Sequence, residues 1–313
     1  MKIFPFDLKE ETEMKFSEMP YKRPDLKAMK KEIAGLISRL ETADSYEKAR
    51  AAFLEMDALL RHFETAATLV SIRHSIDTRD AFYDSEQKYF NEKVPELQED
   101  MQKFTLSLLK NAHRDRFEAE FGTLYFKNAE IELKSFSPEI IPELQKENDL
   151  TQAYEKLLAS AQIPFEGKTY TLSQLSPFKS CADDEKRLAA WKAEGAWYKE
   201  HQSELDDIYD KLVHLRDAMG KKLGYEGYTT LGYYRMGRNC YTKEDVEKFR
   251  AAVVRYIVPL ADGIYREQAR RLGKEYPMNY ADNALAFRSG NPKPAGDAEA
   301  ILEAGRKFYD ELS

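Results

Sequence analysis

The sequence predicts an all-α protein built as a multi-helix bundle, and three observations support this. Apolar residues recur at three- and four-residue steps over long stretches, which is the spacing of one helix face. The 313 residues include only 14 glycines and 12 prolines, too few for a turn-rich β-protein. No fixed-period repeat stands out, so a solenoid is the weaker architecture.

The first predicted region, residues 1–112, is a bundle of three antiparallel helices. Apolar positions give one helix from Leu26 to Leu40 and a longer one from Asp44 to His74. Ser85 is the expected cap of the third helix, in which Pro95 predicts a kink or a break. His74 falls on the apolar seam of its helix. We expect a hydrogen-bonded core histidine there, because no partner follows at metal-ligand spacing.

The second region, residues 113–180, is less regular. Ser137 and Pro138 form a helix start, with proline at the first helical position. Residues 129–133 alternate apolar and polar side chains, which fits a short strand or a linker. Residues 165–172 predict a small β-hairpin that turns at residues 166–168.

The third region, residues 181–313, begins with a stretch from Asp183 to Tyr241 that predicts one long amphipathic helix running into a tyrosine-rich turn. Gly195 on this helix is expected to allow a close neighbour. The helix should end at Leu223–Gly224, where glycine can take the left-handed capping conformation. Its apolar seam is Leu205, Ile208, Leu212, Leu215, Met219 and Leu223.

The remaining helices of this region follow from caps and periodicity. Thr242 and Asp245 predict a capping box at the start of a helix that continues to Ile264 and bends at Pro259. A loop covers residues 276–294, and a last helix covers residues 297–312.

The tyrosine-rich turn is the candidate substrate-binding site. Tyrosine offers a flat contact surface with a polar tip, and arginine can hold a peptide carboxylate through two hydrogen bonds. The alternative is that most of these side chains pack the turn between helices. The candidate residues are Tyr225, Tyr228, Tyr233, Tyr234, Arg235 and Arg238.

Charge and cysteine content exclude several classes of partner. The net charge is −7, and basic residues are interspersed among acidic ones, so no nucleic-acid footprint is expected. No transmembrane run is present, and Met1–Asp7 turns acidic too early for a signal peptide, so we expect no membrane association and a cytoplasmic location. Cys181 and Cys240 are isolated thiols, which indicates a reducing compartment.

Two segments resemble M3 metallopeptidases of the oligoendopeptidase F and Pz-peptidase type. One is the Phe16–Leu26 segment. The other runs from Gly224–Tyr225 through Met236, Arg238 and Tyr241 to Val258–Pro259. The resemblance extends to the predicted hairpin and to the helix that carries Arg187. It implies a helical shell around a channel that admits and hydrolyses short peptides.

The family's defining zinc motif is absent from the sequence. Members bind zinc through His-Glu-x-x-His, in which two histidines stand one helical turn apart. The five histidines, none of which form this pair, are His62, His74, His113, His201 and His214. The resemblance therefore implies an amino-terminal portion of a longer enzyme. Zinc would belong to the full-length parent, and residues 1–313 would provide scaffold and channel wall with no metal site and no activity of their own.

Two other function classes remain open at the sequence level. A non-catalytic helical binding or adaptor module is the main alternative, since these residues contain no complete catalytic constellation. A self-sufficient hydrolase is the weakest, because adjacent carboxylates such as Asp206–Asp207 point in different directions on a helix. If the chain is part of a larger shell, its partners are an oligopeptide substrate and the missing carboxy-terminal catalytic half. Apolar surface would then be exposed and could cause self-association.

Overall fold

The computed structural model describes residues 15–312, so the expectation about Met1–Asp7 lies outside the described residues. The chain is 75% helical, with a single small two-stranded hairpin among the residues described. This confirms the mainly α prediction. No helix between residues 15 and 312 combines the length and apolarity needed to cross a membrane.

Three long helices open the fold: α1 (Leu26–Glu41), α2 (Tyr46–Ile76) and α3 (Ala81–Leu109). The side chain of Asp80 caps α3 by accepting hydrogen bonds from the backbone amides of residues 82 and 83. Ser85, the predicted cap, instead lies inside α3. The earlier aspartate prevails because its carboxylate reaches two free amides of the first turn. Pro95 is buried within α3, which continues through it without a break.

These helices share one hydrophobic core with the two that follow, α4 (Arg114–Phe121) and α5 (Thr123–Ser135). The five-residue alternation at 129–133, predicted as a strand or a linker, is part of α5. Five alternating residues are too few to specify a strand. The longer segment is a helix that buries Phe126 and Ala129 on one face. The most deeply buried core residues are Ile33, Leu40, Ala49, Ala52, Val70, Leu97, Leu108, Phe117 and Phe126.

The middle of the chain contains α6 (Ile141–Ala159), strands β1 (Ile163–Phe165) and β2 (Lys168–Tyr170), and the short α7 (Ser176–Lys179). A 3-10 turn starting at Pro138 precedes α6, and the Ser137 hydroxyl accepts a hydrogen bond from the amide of Glu139, as expected for a helix start. The strands pair antiparallel, and Glu166 and Gly167 both have positive φ, 46° and 73°. Two such residues form the tight turn that a hairpin requires, which confirms the predicted hairpin.

The predicted long helix is two helices, α8 (Asp184–Glu200) and α9 (Gln202–Lys222). The break falls at His201, whose ring stacks on Trp197 at 4.3 Å between centroids and whose Nδ1 lies 2.9 Å from the Trp197 carbonyl oxygen. Residues 199–204 are all polar, so no apolar face holds the helix together across this point.

Helix α8 is fixed in place through Arg187, which is completely buried. Its guanidinium donates to the carbonyl oxygens of Cys181 at 2.8 Å and Ala281 at 3.1 Å, and it forms ion pairs with Asp184 and Asp282. A buried guanidinium needs this many partners to offset its lost hydration.

The last part contains α10 (Tyr228–Arg235), α11 (Lys243–Ala252), α12 (Val258–Leu272) and α13 (Ala298–Leu312). The predicted capping box between Thr242 and Asp245 is formed. A wide π turn at Val253–Ile257 separates α11 from α12 and places Pro259 in the first turn of α12. Proline has no amide to donate, and the π turn before it widens the backbone at the point where an α-helical hydrogen bond is lost.

The chain forms two compact units. The first unit comprises the residues up to Ala153 together with Ile208–Cys240. The second takes residues 154–207 and everything from Tyr241 onward. The chain crosses between the units three times: within α6, within α9, and in the connection between α10 and α11. The candidate site lies entirely in the first unit.

Candidate functional site

The candidate site is built on the tight connection between α9 and α10. The amide of Tyr225 donates to the carbonyl oxygen of Gly220, and Gly224, with φ of 82°, donates to Lys221. This pair of hydrogen bonds is the Schellman ending that the Leu223–Gly224 sequence predicts. A Cβ at Gly220 would lie 2.2 Å from the carbonyl oxygen of Gly227, so only glycine permits this close approach.

The close contact expected at Gly195 is not found. A Cβ built there meets nothing within 4 Å, and the residue is exposed. Amphipathic periodicity placed Gly195 on the apolar face, but the glycine that allows two backbones to approach is Gly220, one helix later. Sequence spacing does not distinguish between these two glycines.

The tyrosine-rich segment is a helix rather than a turn. Residues 228–235 form α10, which buries Leu231 and Gly232 against a second apolar cluster. Burial of Leu231 stabilises a segment whose glycine and two β-branched threonines are weak helix formers. The other buried members of that cluster are Phe136, Ile140, Leu144 and Met219.

Arg235 is held by a carboxylate that the sequence did not reveal. Its Nη1 and Nη2 donate to the two oxygens of Glu147, at 3.1 and 2.7 Å. Arg216 donates through Nε to the same carboxylate at 2.6 Å, and Arg235 also reaches the Tyr228 hydroxyl at 3.1 Å. Glu147 lies on α6 and is only 5% exposed. One buried carboxylate therefore orients two arginines.

The charge state of this group follows from its neighbours. Burial alone would raise the pKa of Glu147, but the hydrogen bonds from Arg235 and Arg216 outweigh burial and lower the pKa below its ordinary value. Burial would likewise lower the pKa of Arg235, and the Glu147 carboxylate reverses this and raises it. The group is consequently a fixed ion pair at neutral pH.

The remaining candidates also occur in pairs. Tyr225 and Tyr234 have ring centroids 5.8 Å apart, and the Tyr225 hydroxyl donates to the carbonyl oxygen of Lys134 at 2.7 Å. Burial raises the pKa of Tyr225. Arg238 lies over the ring of Tyr233, with its guanidinium carbon 4.2 Å from the centroid.

The structure thus brings the six predicted residues together as three pairs around α10: Tyr225 with Tyr234, Tyr228 with Arg235, and Tyr233 with Arg238. The four tyrosines and Arg238 are half-buried, so each combines packing with an accessible edge. Such a surface can contact a peptide through aromatic faces and a guanidinium.

No sequence pattern pointed to Glu147, Arg216 or Lys134 as part of this site. Glu147 stands 88 positions before Arg235, within a polar stretch of α6. An amphipathic pattern assigns a glutamate in such a stretch to solvent. Only the tertiary packing of α6 against the α9–α10 connection could have identified it.

The described residues do not fit a metal site. Between residues 15 and 312, no three or more His, Cys, Asp or Glu side chains are grouped so that they could hold a metal ion. His74 is buried as predicted, with Nε2 at 3.4 Å from a carboxylate oxygen of Asp84, although Nε2 forms no hydrogen bond. We therefore assign no catalytic step through a metal held by these residues.

Similarity to known proteins agrees with this architecture. Residues 16–136 match the peptidase M3 N-terminal domain. Pz peptidase A, solved with an inhibitor, is 40% identical with a TM-score of 0.92, over 96% of this chain and 53% of that one. A protein described as an oligoendopeptidase F is 39% identical with a TM-score of 0.92, over 96% and 53% of the two chains. No curated protein matches the chain.

A third solved structure, described as an oligoendopeptidase F from Bacillus anthracis strain Ames, is 38% identical with a TM-score of 0.91, over 96% of this chain and 55% of that one. These matches define a peptidase scaffold of the mainly α class. Residues 16–136 carry the amino-terminal domain of M3 peptidases, and the chain spans about half the length of the solved structures that it matches.

Proposed function

We propose that the chain is the amino-terminal half of a zinc-dependent oligoendopeptidase, in which it supplies the scaffold and part of the substrate-channel wall. The observation that supports this most strongly is the backbone agreement with Pz peptidase A over 96% of the chain at 40% identity. The zinc that the family implies would be held outside these 313 residues, since the chain contains no His-Glu-x-x-His sequence.

Short peptides are the proposed substrates, and the surface around α10 is their proposed contact. Within it, the three pairs have different roles. Arg235 pairs with Glu147 and donates to the Tyr228 hydroxyl, whereas the guanidinium of Arg238 lies over the face of Tyr233. Arg238 and Tyr233 would contact the peptide directly. Tyr225 and Tyr234 complete the aromatic surface.

The test replaces each arginine in the enzyme formed by this chain and the zinc-binding half of a related oligoendopeptidase F. Arg238→Ala should lower kcat/KM for short peptides about tenfold or more, with Tm changed by no more than about 2 °C, because a substrate contact contributes to rate and not to folding. Arg235→Ala should lower Tm as well, because it leaves the buried Glu147 carboxylate with one arginine.

Arg116→Ala is the matched control, since Arg116 lies 4.1 Å from the centroid of the Tyr46 ring but belongs to the helical bundle. It should leave kcat/KM unchanged. A large drop in Tm for Arg238→Ala, with unchanged kinetics of the folded enzyme, would assign Arg238 to the scaffold and contradict the proposed contact.

A further inference from the structure

Helix α13 presents a complete apolar stripe to solvent. With about 100° of rotation per residue, its apolar side chains fall within roughly 120° of one face. Their exposed fractions are 46% at Ile301, 70% at Leu302, 59% at Phe308, 72% at Tyr309 and 68% at Leu312. The opposite face carries charged residues such as Glu303 and Lys307. No residue of α13 that the structure describes is buried.

Helices α11 and α12 also expose large apolar side chains. Phe249 is 70% exposed, Leu260 is 62% exposed and Ile264 is 60% exposed. Helix α11 and the π turn that follows it contain no buried residue among those described. All of these elements belong to the second unit.

This pattern is opposite to that of the opening bundle, in which α1, α2 and α3 each bury an apolar face. A 15-residue helix is marginal in water by itself, since most helix stability in proteins comes from packing an amphipathic face. Large contiguous apolar surfaces usually mark interaction sites. The stripe on α13 has the character of such a site.

We infer that the exposed apolar faces of α11, α12 and α13 are the docking surface for the zinc-binding half of an M3 peptidase. The occupant follows from chain length. The matched solved structures reproduce this backbone with a TM-score of 0.91–0.92, yet only 53–55% of each of those chains is accounted for. In each of those proteins, nearly half of the polypeptide lies outside the part that matches this chain, and it belongs to the same molecule. The inference rests on the proposed function, and it names the surface through which the second half binds.

The experiment co-expresses the tagged chain with the carboxy-terminal, zinc-binding half of a related oligoendopeptidase F and measures how much of that half co-purifies. The wild-type chain should retain it in a 1:1 complex. The double variant Leu302→Glu/Phe308→Glu should reduce the retained amount at least about tenfold, because central apolar residues dominate interface affinity.

Lys307→Glu is the control, since it changes the net charge by the same amount on the polar face of α13. It should leave co-purification within about twofold of wild type. Circular dichroism on all three proteins verifies that the helical content is retained. If the control and the double variant lose co-purification of the zinc-binding half equally, or if neither loses it, the inference is overturned. A wild-type chain that retains none of the second half would also overturn it.

A second copy of the chain is the competing occupant. Light scattering that finds a stable homodimer of the wild-type chain, dissociated by Leu302→Glu/Phe308→Glu, would assign the stripe to self-association and overturn the inference. Peptidase activity of the co-purified complex is a separate readout. A complex that forms through α13 but cleaves no peptide would support the surface and contradict the proposed function.

Discussion

At the residue scale, Glu147 determines what two arginines can do. Its carboxylate is buried on α6, and both Arg216 and Arg235 are directed at it. Arg235 was a candidate from the sequence because tyrosines and glycines surround it. That pattern identifies the cluster, but it does not show which arginine binds a carboxylate of the protein. The pairing depends on a partner 88 positions away, which no local pattern reveals.

Glu147→Gln tests this ion pair through its pH dependence. The arginines lower the folded-state pKa of Glu147 below the unfolded value of about 4.3. The stabilisation is therefore fully present above that unfolded value and is lost as the pH falls through the folded-state pKa. At pH 7 we expect Glu147→Gln to lower the unfolding free energy by about 1–3 kcal/mol.

The difference in unfolding free energy between the wild type and Glu147→Gln should shrink as the pH falls from about 5 toward 2. Denaturant unfolding at each pH measures it. Glu226→Gln, at an exposed glutamate of the α9–α10 connection, is the control and should show little effect at any pH. A constant deficit for Glu147→Gln across the whole range would contradict the role assigned to the carboxylate.

At the element scale, long periodic segments were predictable and short ones were not. Helices α1 and α2 lie within a few residues of their predicted bounds because many apolar positions repeat at helical spacing. Helix α10 has eight residues, and its stability depends on burying Leu231 against residues distant in sequence. The break at His201 was missed because an apolar face on each side suggested continuity across a polar stretch.

Gly220→Ala tests the close packing of α9 against the start of α10. A methyl group at this position would lie 2.2 Å from the Gly227 carbonyl oxygen and 2.9 Å from the Tyr228 amide nitrogen. Backbone atoms cannot yield as a flexible side chain can, so we expect a loss of about 2–3 kcal/mol in unfolding free energy and disturbed packing of α10.

Gly195→Ala is the matched control in α8, where a methyl group meets nothing within 4 Å. Helix propensity predicts a gain of up to about 1 kcal/mol there. Thermal unfolding of both variants gives the comparison. Equal, small effects at the two glycines would show that the α9–α10 contact is not tight.

At the scale of the whole molecule, the chain combines a well-packed helical bundle with helices whose apolar faces remain exposed. Helices α1 to α5 bury their apolar faces in one shared core, whereas α13 buries none of its described residues. The sequence predicted exposed apolar surface from the family resemblance, but only the structure locates it on α11, α12 and α13. Together with the solved structures of about twice the length, this distribution supports a chain that functions with a second half.

In the proposed enzyme, these 313 residues supply scaffold and substrate contacts, while the zinc and the reaction centre are supplied by another segment. The most direct test measures zinc content and chelator-sensitive cleavage of a short fluorogenic peptide, first for the purified chain and then for its complex with the zinc-binding half of a related oligoendopeptidase F. We expect no stoichiometric zinc and no cleavage by the chain alone, and activity in the complex that a chelator abolishes. One tightly bound zinc per chain, together with chelator-sensitive peptidase activity of the chain alone, would contradict the account.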